Sequence, residues 1–233
     1  MNNISTKLSK NRRTLFYIVS ALVLHILSMY FVVFLQNIAY SQCSSLIYML
    51  LKFILRWFYL LVPVCFMKAE KIKLGDIGIT RNKLFIQVIT GLLIGIVEVV
   101  VIVSLTVLLG FKKQLGPSLY EEGWQYIVYL FYTIFAVALF EEIFFRGYIY
   151  KKLSDIIKPK WLLILISSLI FGACHFVGNG DFLQDIPQVL LAAISGMFYC
   201  VLREKIRNCT LISLIFMHGI YDFGIAFLTF IIE

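Results

Sequence analysis

Residues 124–150 read WQYIVYLFYTIFAVALFEEIFFRGYIY, an apolar run that carries Glu141, Glu142 and Arg146 near its end. About 20 apolar residues suffice to cross the hydrocarbon of a bilayer. A charge at the bilayer centre costs roughly 2.5–3.5 kcal/mol on insertion scales, so ionisable residues inside such a run mark a functional site by default. Two later apolar segments add Phe171-Gly-Ala-Cys-His175 and His218-Gly-Ile-Tyr-Asp222. The polar set is then two glutamates, an arginine, two histidines and an aspartate, all placed where lipid is expected.

Composition agrees with a membrane reading. The chain has 233 residues, 61% hydrophobic and 15% charged, with a mean hydropathy of +0.91. A soluble domain needs a more charged surface than this. Seven segments approximate a span: 14–36, 46–67, 84–110, 124–150, 161–178, 186–202 and 210–232. The expected fold is all-α, a polytopic bundle of about seven transmembrane helices with an internal polar cavity, forming a single integral membrane domain over 1–233. Lys7, Lys10, Arg12 and Arg13 precede the first run, but that run is too long for a signal peptide and is read as a retained helix. Asp185-Ile186-Pro187 reads as a helix start. Five scattered cysteines without C-x-x-C support neither a disulfide framework nor a thiolate metal site.

The net charge of +8 lies mostly in short loops, which points to topology and away from nucleic acid. One set of loops holds sixteen Lys and Arg, and the alternate set holds only Lys112 and Lys113. This bias predicts a cytoplasmic N-terminus and an extracytoplasmic C-terminus. Counted from the cytoplasmic ends of their segments at ~1.5 Å per residue, Glu141 lies ~15 Å deep, His175 ~21 Å, His218 ~12 Å and Asp222 ~18 Å. Side chains at matched depth are expected to share one pocket.

Each residue also has a plainer reading. Glu142 and Arg146, four apart on one helix face, suit an internal ion pair as well as catalysis. Glu141 is rotated by ~100° from Glu142 and lacks that intrahelical partner, which suits a general base. Asp222, four residues after His218, is placed to orient its imidazole. His25 has no comparable neighbours and is read as structural, and Cys174 as a small packing residue. Glu98 is expected to pair with Arg56 or Lys52, with a cavity-lining role as the alternative. Gly91 and Gly95 form a small-x-x-x-small helix-packing pair.

Glu141-Glu142-x-x-x-Arg146, Phe171-x-x-x-His175 and His218-x-x-x-Asp222, in that order and each on its own apolar segment, resemble the CAAX protease and bacteriocin-processing family of intramembrane endopeptidases, which includes the type II CAAX prenyl proteases. The resemblance covers a motif core of about 124–222. It implies a peptide-cutting enzyme in which Glu141 and His175 activate water while His218 and Asp222 hold the oxyanion, so that Glu141, Glu142, Arg146, His175, His218 and Asp222 are the catalytic candidates. The cofactor stays open: the family is described as metalloproteases, and Glu141, His175 and His218 make a His₂Glu set suited to zinc, whereas Glu141 also serves as a base with no metal. The family's final residue is Asn or Asp. Ionised Asp222 cannot donate to an oxyanion, so it is protonated, or orients His218, or belongs to a metal site.

The expected partners are the lipid bilayer and a membrane-associated peptide or precursor, of the bacteriocin-leader or pheromone kind, in a bacterial plasma membrane. The rival reading is a non-catalytic immunity or sensor-kinase regulatory protein on the same scaffold. A small transporter is disfavoured by the lack of visible repeats.

Overall fold

The computed structural model describes residues 2–110, 120, 122–176 and 182–232; Lys112 and Lys113 lie outside the described residues. These form helices and connecting turns with no strand among them. The helices are α1 (Asn2–Gln42), α2 (Ser45–Arg56), α3 (Leu61–Ala69), α4 (Leu84–Leu108), α5 (Gly123–Tyr132), α6 (Leu139–Glu141), α7 (Tyr150–Ile156), α8 (Lys160–Ala173), α9 (Phe182–Lys205) and α10 (Leu211–Ile232). A 3₁₀ turn over Trp57–Leu60 joins α2 to α3, and π-helical stretches join α5 to α6 and α6 to α7.

Among the described residues, six helical stretches are long and apolar enough to cross a membrane: Leu8–Tyr40, Leu46–Ala69, Leu84–Leu108, Gly123–Ile156, Asp185–Lys205 and Leu211–Ile231. Their outward side chains are apolar, with Phe16, Phe85, Ile127 and Ile194 all exposed. A water-soluble surface rarely carries so much contiguous hydrocarbon, and helices are one of the two structures that satisfy their backbone inside lipid. This is an all-α integral membrane protein.

The segment expected over 161–178 is shorter than a span. Helix α8 has 14 residues, about 21 Å of rise. The chain then leaves α-helical geometry, as the His175 and Phe176 amides bond only three residues back, to Gly172 and Ala173. His175 therefore sits in a turn beyond the helix. The start signal at Asp185-Ile186-Pro187 is also displaced: α9 begins at Phe182 and contains Pro187, so the proline removes one bond inside the helix, to the carbonyl of residue 183.

Two compact units interleave along the sequence: Met1–Leu35, Phe58–Gly78 and Ile143–Arg207 form the first, and Gln36–Trp57, Ile79–Glu142 and Asn208–Glu233 the second. In the first unit, α8 crosses α9 where a Cβ on Gly172 would meet the Val189 carbonyl at 2.6 Å and the Ala193 Cβ at 2.8 Å. The side chain of Arg203 donates to the carbonyl of Ile77 at 2.8 Å. Gly78, at φ +90°, leaves room for that guanidinium, since a Cβ there would lie 2.5 Å from Arg203 Nη2.

In the second unit, α10 packs on α4 through small residues. A Cβ on Gly91 would strike the Ser213 carbonyl and approach Phe216 Cβ at 3.0 Å, and one on Gly95 would lie 2.7 Å from the Met217 carbonyl. From α10, Gly219 fits against Ile134 and Gly224 against Val99 in the same way. The packing role expected of Gly91 and Gly95 is thus met, and α10 supplies the matching glycines. Buried Gln87 ties the start of α4 to the start of α10: its carbonyl accepts from Ser213 Oγ at 2.8 Å and its side-chain oxygen from Thr210 Oγ1. Thr210 also caps α10, its hydroxyl oxygen accepting from the Ile212 amide at 3.2 Å.

Gly91→Ala is expected to lower stability by about 1–3 kcal/mol, the usual cost of overpacking a tight contact. Gly75→Ala, where a Cβ meets nothing within 4 Å, is the control. Thermal unfolding in detergent micelles reads the difference, and equal midpoints for the two variants would disprove the close approach of α4 and α10.

Candidate active site

The helix bearing the two glutamates departs from α geometry before Glu141 and again from Glu142 onward. Residues Thr133–Ala138 and Glu142–Ile149 are π-helical, with the single α turn Leu139–Glu141 between. A π turn bonds five residues back, so it is wider than an α turn and shifts the angular position of every side chain in it. Such bulges are frequent at functional sites.

Within the second unit, both glutamates face one imidazole. Glu142 is wholly buried, and its Oε1 lies 2.9 Å from His218 Nδ1. Glu141 Oε2 lies 4.0 Å from the other ring nitrogen, Nε2, with Asp222 Oδ2 at 3.5 Å from that same atom. Three carboxylates therefore surround His218, which is itself buried. A carboxylate ion can only accept, so Nδ1 carries a proton and donates it to Glu142. The expectation that Asp222 faces the imidazole is met. The expectation that Glu141 points away from Glu142 is not: the two carboxylates bracket one ring.

The first unit holds the other two motif residues. Arg146 is 1% exposed. Its guanidinium lies 3.7 Å over the Phe171 ring and 5.4 Å from that of Tyr199. Gly196 makes room there, since a Cβ on it would approach Arg146 Nη2 and Phe171 at 3.2 Å. The backbone carbonyl of Arg146 accepts from Arg203 Nη1 at 2.6 Å. His175 Nδ1 lies 2.9 Å from the Phe171 carbonyl; a carbonyl only accepts, so Nδ1 bears the proton. The His175 ring also meets the Phe171 ring edge-on at 4.4 Å. Phe171 is thus in contact with both Arg146 and His175. His25 stacks on Phe144 at 4.1 Å and meets Phe145 and Tyr59 edge-on, as a structural histidine does.

Residues outside the six motif positions also make defined contacts. Arg203 joins the Arg146 carbonyl to the Ile77 carbonyl. Lys152 and Tyr148 both bond the carboxylate of Glu70. Lys52 and Arg56 lie over the Tyr132 ring, at 5.0 and 5.9 Å from its centre, and line a cavity together with Asp222. Among the described residues, no group of three or more His, Cys, Asp or Glu side chains is placed to hold a metal ion.

Residues 123–224 match the family model described as type II CAAX prenyl endopeptidase, Rce1-like. The match begins at the first residue of α5 and ends two residues past Asp222, so it contains all six motif residues and agrees with the core of 124–222 drawn from the motifs. Comparison with curated proteins gave no match, and comparison with solved structures gave none.

The Arg146–Phe171 stack makes a measurable prediction. A desolvated guanidinium on an aromatic face is worth about 2 kcal/mol. Phe171→Leu keeps apolar bulk and loses the face, so a destabilisation of about that size is expected in thermal unfolding. Arg146→Lys should act in the same direction, and the double variant should be less destabilised than the sum of the singles. Strict additivity would show that the two side chains are not coupled.

Proposed function

We propose that the protein is an intramembrane endopeptidase that cleaves a membrane-associated peptide or precursor with water activated by Glu141. The observation that carries this reading is the placement of Glu141, Glu142 and Asp222 around the single buried ring of His218. Glu142, wholly buried and bonded to Nδ1, holds the imidazole in one orientation. Glu141, the more exposed of the two glutamates, with 18% of its side chain accessible, is the general base. It takes a proton from water as the oxygen attacks the scissile carbonyl, and delivers it to the departing amine. The edge of His218 at Nε2 faces the developing oxyanion, and Asp222 acts as the carboxylate that orients this edge. His175, whose Nδ1 donates to the Phe171 carbonyl, is assigned the water-activating role that the family resemblance implies for it. Arg146 and Phe171 are positioning residues.

No step in this scheme runs through a metal ion. The substrate is assigned to the membrane-associated precursors, with bacteriocin leaders and peptide pheromones as the kinds the family suggests. The charge bias over the loops supports a cytoplasmic N-terminus, and the Lys-, Ile- and Phe-rich composition supports a bacterial plasma membrane.

The test is complementation of a deletion strain, with peptidomics of the medium. Glu141→Gln is expected to accumulate in the membrane at wild-type level and to release no product. A well-expressed Glu141→Gln protein that restores the wild-type phenotype would instead support the non-catalytic immunity or regulatory reading. Asp222→Asn removes the carboxylate that orients His218, and a loss of about 10–100-fold in cleavage rate is expected, as for other orienting partners of a functional histidine. Chelators are expected to leave the rate unchanged; inactivation by chelator with recovery on Zn²⁺ would overturn the metal-free assignment.

A further inference from the structure

Arg203 and Lys205 both lie in the last turn of α9. Both cations fit the charge bias of the loops, and both complement the negative end of the helix dipole. Lys205 is exposed, as a charge with only those duties should be. Arg203 is half-buried and directs two nitrogens at backbone from distant parts of the chain. Its Nη1 donates to the Arg146 carbonyl at 2.6 Å, and its Nη2 donates to the Ile77 carbonyl at 2.8 Å. The guanidinium also lies 5.7 Å from the centre of the Tyr150 ring. The Tyr150 hydroxyl in turn donates to Glu204 at 3.2 Å, and Lys160 pairs with the same carboxylate.

The two carbonyls differ in what they need. That of Arg146 lies inside the π-helical stretch Glu142–Ile149, where helical bonding is intrinsically poor. A charged donor from outside the helix stabilises the winding at that residue. That of Ile77 closes the 3₁₀ turn Leu74–Ile77 and belongs to a fully buried residue, so it is a fixed point for the other arm of the fork. Gly78, at φ +90°, clears the space the fork occupies, since a Cβ there would lie 2.5 Å from Nη2. Lysine has one nitrogen in place of this planar fork and does not reproduce it. The winding at residue 146 sets the direction of its side chain, and that side chain lies 3.7 Å over the Phe171 ring. The carbonyl of Phe171 is the one that accepts from His175.

We propose that Arg203 is a positioning residue of the active site: its fork, braced on the Ile77 carbonyl, holds the π-wound backbone at Arg146 in the register that lays the Arg146 guanidinium on Phe171. It touches neither substrate nor reacting atoms and acts through Arg146. The inference rests on the endopeptidase reading for what the positioning serves.

The experiment is a set of double-variant cycles, read by thermal unfolding of the full-length protein in detergent micelles. In wild type, Phe171→Leu and Arg146→Lys are expected to be non-additive. In the Arg203→Met background the same two substitutions should become additive, because Arg146 is no longer held against the ring. A residue that merely adds stability would lower every midpoint and leave the coupling intact. Lys205→Met removes an equal topology and dipole charge, and should leave the coupling at its wild-type size. Arg203→Lys keeps the charge without the fork, and should uncouple the pair nearly as far as Arg203→Met; it also serves where the Met variant does not accumulate. Coupling of wild-type size in either Arg203 variant would overturn the inference, as would its loss in Lys205→Met or its absence from wild type. The second readout is product released in the complementation assay. At wild-type membrane levels, both Arg203 variants should release less product by about tenfold or more, the scale on which losing an orienting partner acts at other protein sites. Uncoupling with undiminished product would overturn the positioning role. A wild type that releases no product, while the Arg203 variants still uncouple Arg146 from Phe171, would remove the endopeptidase reading and leave the fork standing as the device that holds Arg146.

Discussion

The carboxylate of Glu142 is shut off from solvent and lipid, and an ionised group so placed must be met by a donor. The donor is His218, 2.9 Å away on α10. That bond fixes where α10 must run, and the rest of the second unit allows it to run there. Gly91 and Gly95 let α4 approach the α10 backbone, while Gly219 and Gly224 let α10 lie against Ile134 and Val99. Gln87, Thr210 and Ser213 lock the register where the two helices begin. In lipid, apolar contact between helices brings no hydrophobic gain over contact with acyl chains, so close backbone packing and polar ties must supply the association. Here the small residues permit the approach and the buried polar pair rewards one particular alignment.

The π-helical geometry solves a second problem. Neighbouring residues on an α-helix point ~100° apart, which would direct Glu141 and Glu142 to different neighbours. The π stretches flanking the pair change the local winding, and the two carboxylates reach opposite nitrogens of one ring. The cost of a π turn is poorer backbone bonding, which is why it persists mostly at functional sites. Arg203 offsets part of that cost in the first unit by donating to the carbonyl of Arg146, inside the second π stretch.

Much of the fold was legible because hydrophobicity reports spans directly. The segments drawn at 46–67, 84–110 and 210–232 agree closely with Ser45–Ala69, Leu84–Leu108 and Leu211–Ile232, since each ends where charged or turn-forming residues begin. The polar residues were legible for the same reason: ions stand out in an apolar run, whether they serve as internal pairs or as a functional site. What the chain did not disclose was winding and long-range partnership. No residue in FEEIFFR announces a π turn, so helical periodicity assigned Glu141 the wrong direction. Likewise Phe171, apolar within an apolar helix, carries no mark that it will bear a guanidinium on its face. The short reach of α8 was hidden as well, because Phe171-Gly-Ala-Cys-His175 is apolar enough to continue a helix that in fact ends at Ala173.

The choice of arginine at 146 follows from its surroundings in the first unit. A buried ammonium is a compact, strongly hydrated point charge that aromatic faces only partly compensate. A guanidinium is flat, weakly hydrated and always charged, and it stacks. With Phe171 at 3.7 Å and Tyr199 beyond it, the Arg146 guanidinium, 1% exposed, lies against two π systems. The same Phe171 presents its carbonyl to His175 Nδ1 and its ring edge to the imidazole. One residue thereby meets a buried cation with its ring face and a candidate catalytic histidine with its ring edge and backbone carbonyl. A motif written as Phe-x-x-x-His is, in physical terms, the specification of that arrangement: the four-residue spacing lets the carbonyl of the first residue accept from the ring of the second, and the phenyl group leaves its face to the arginine.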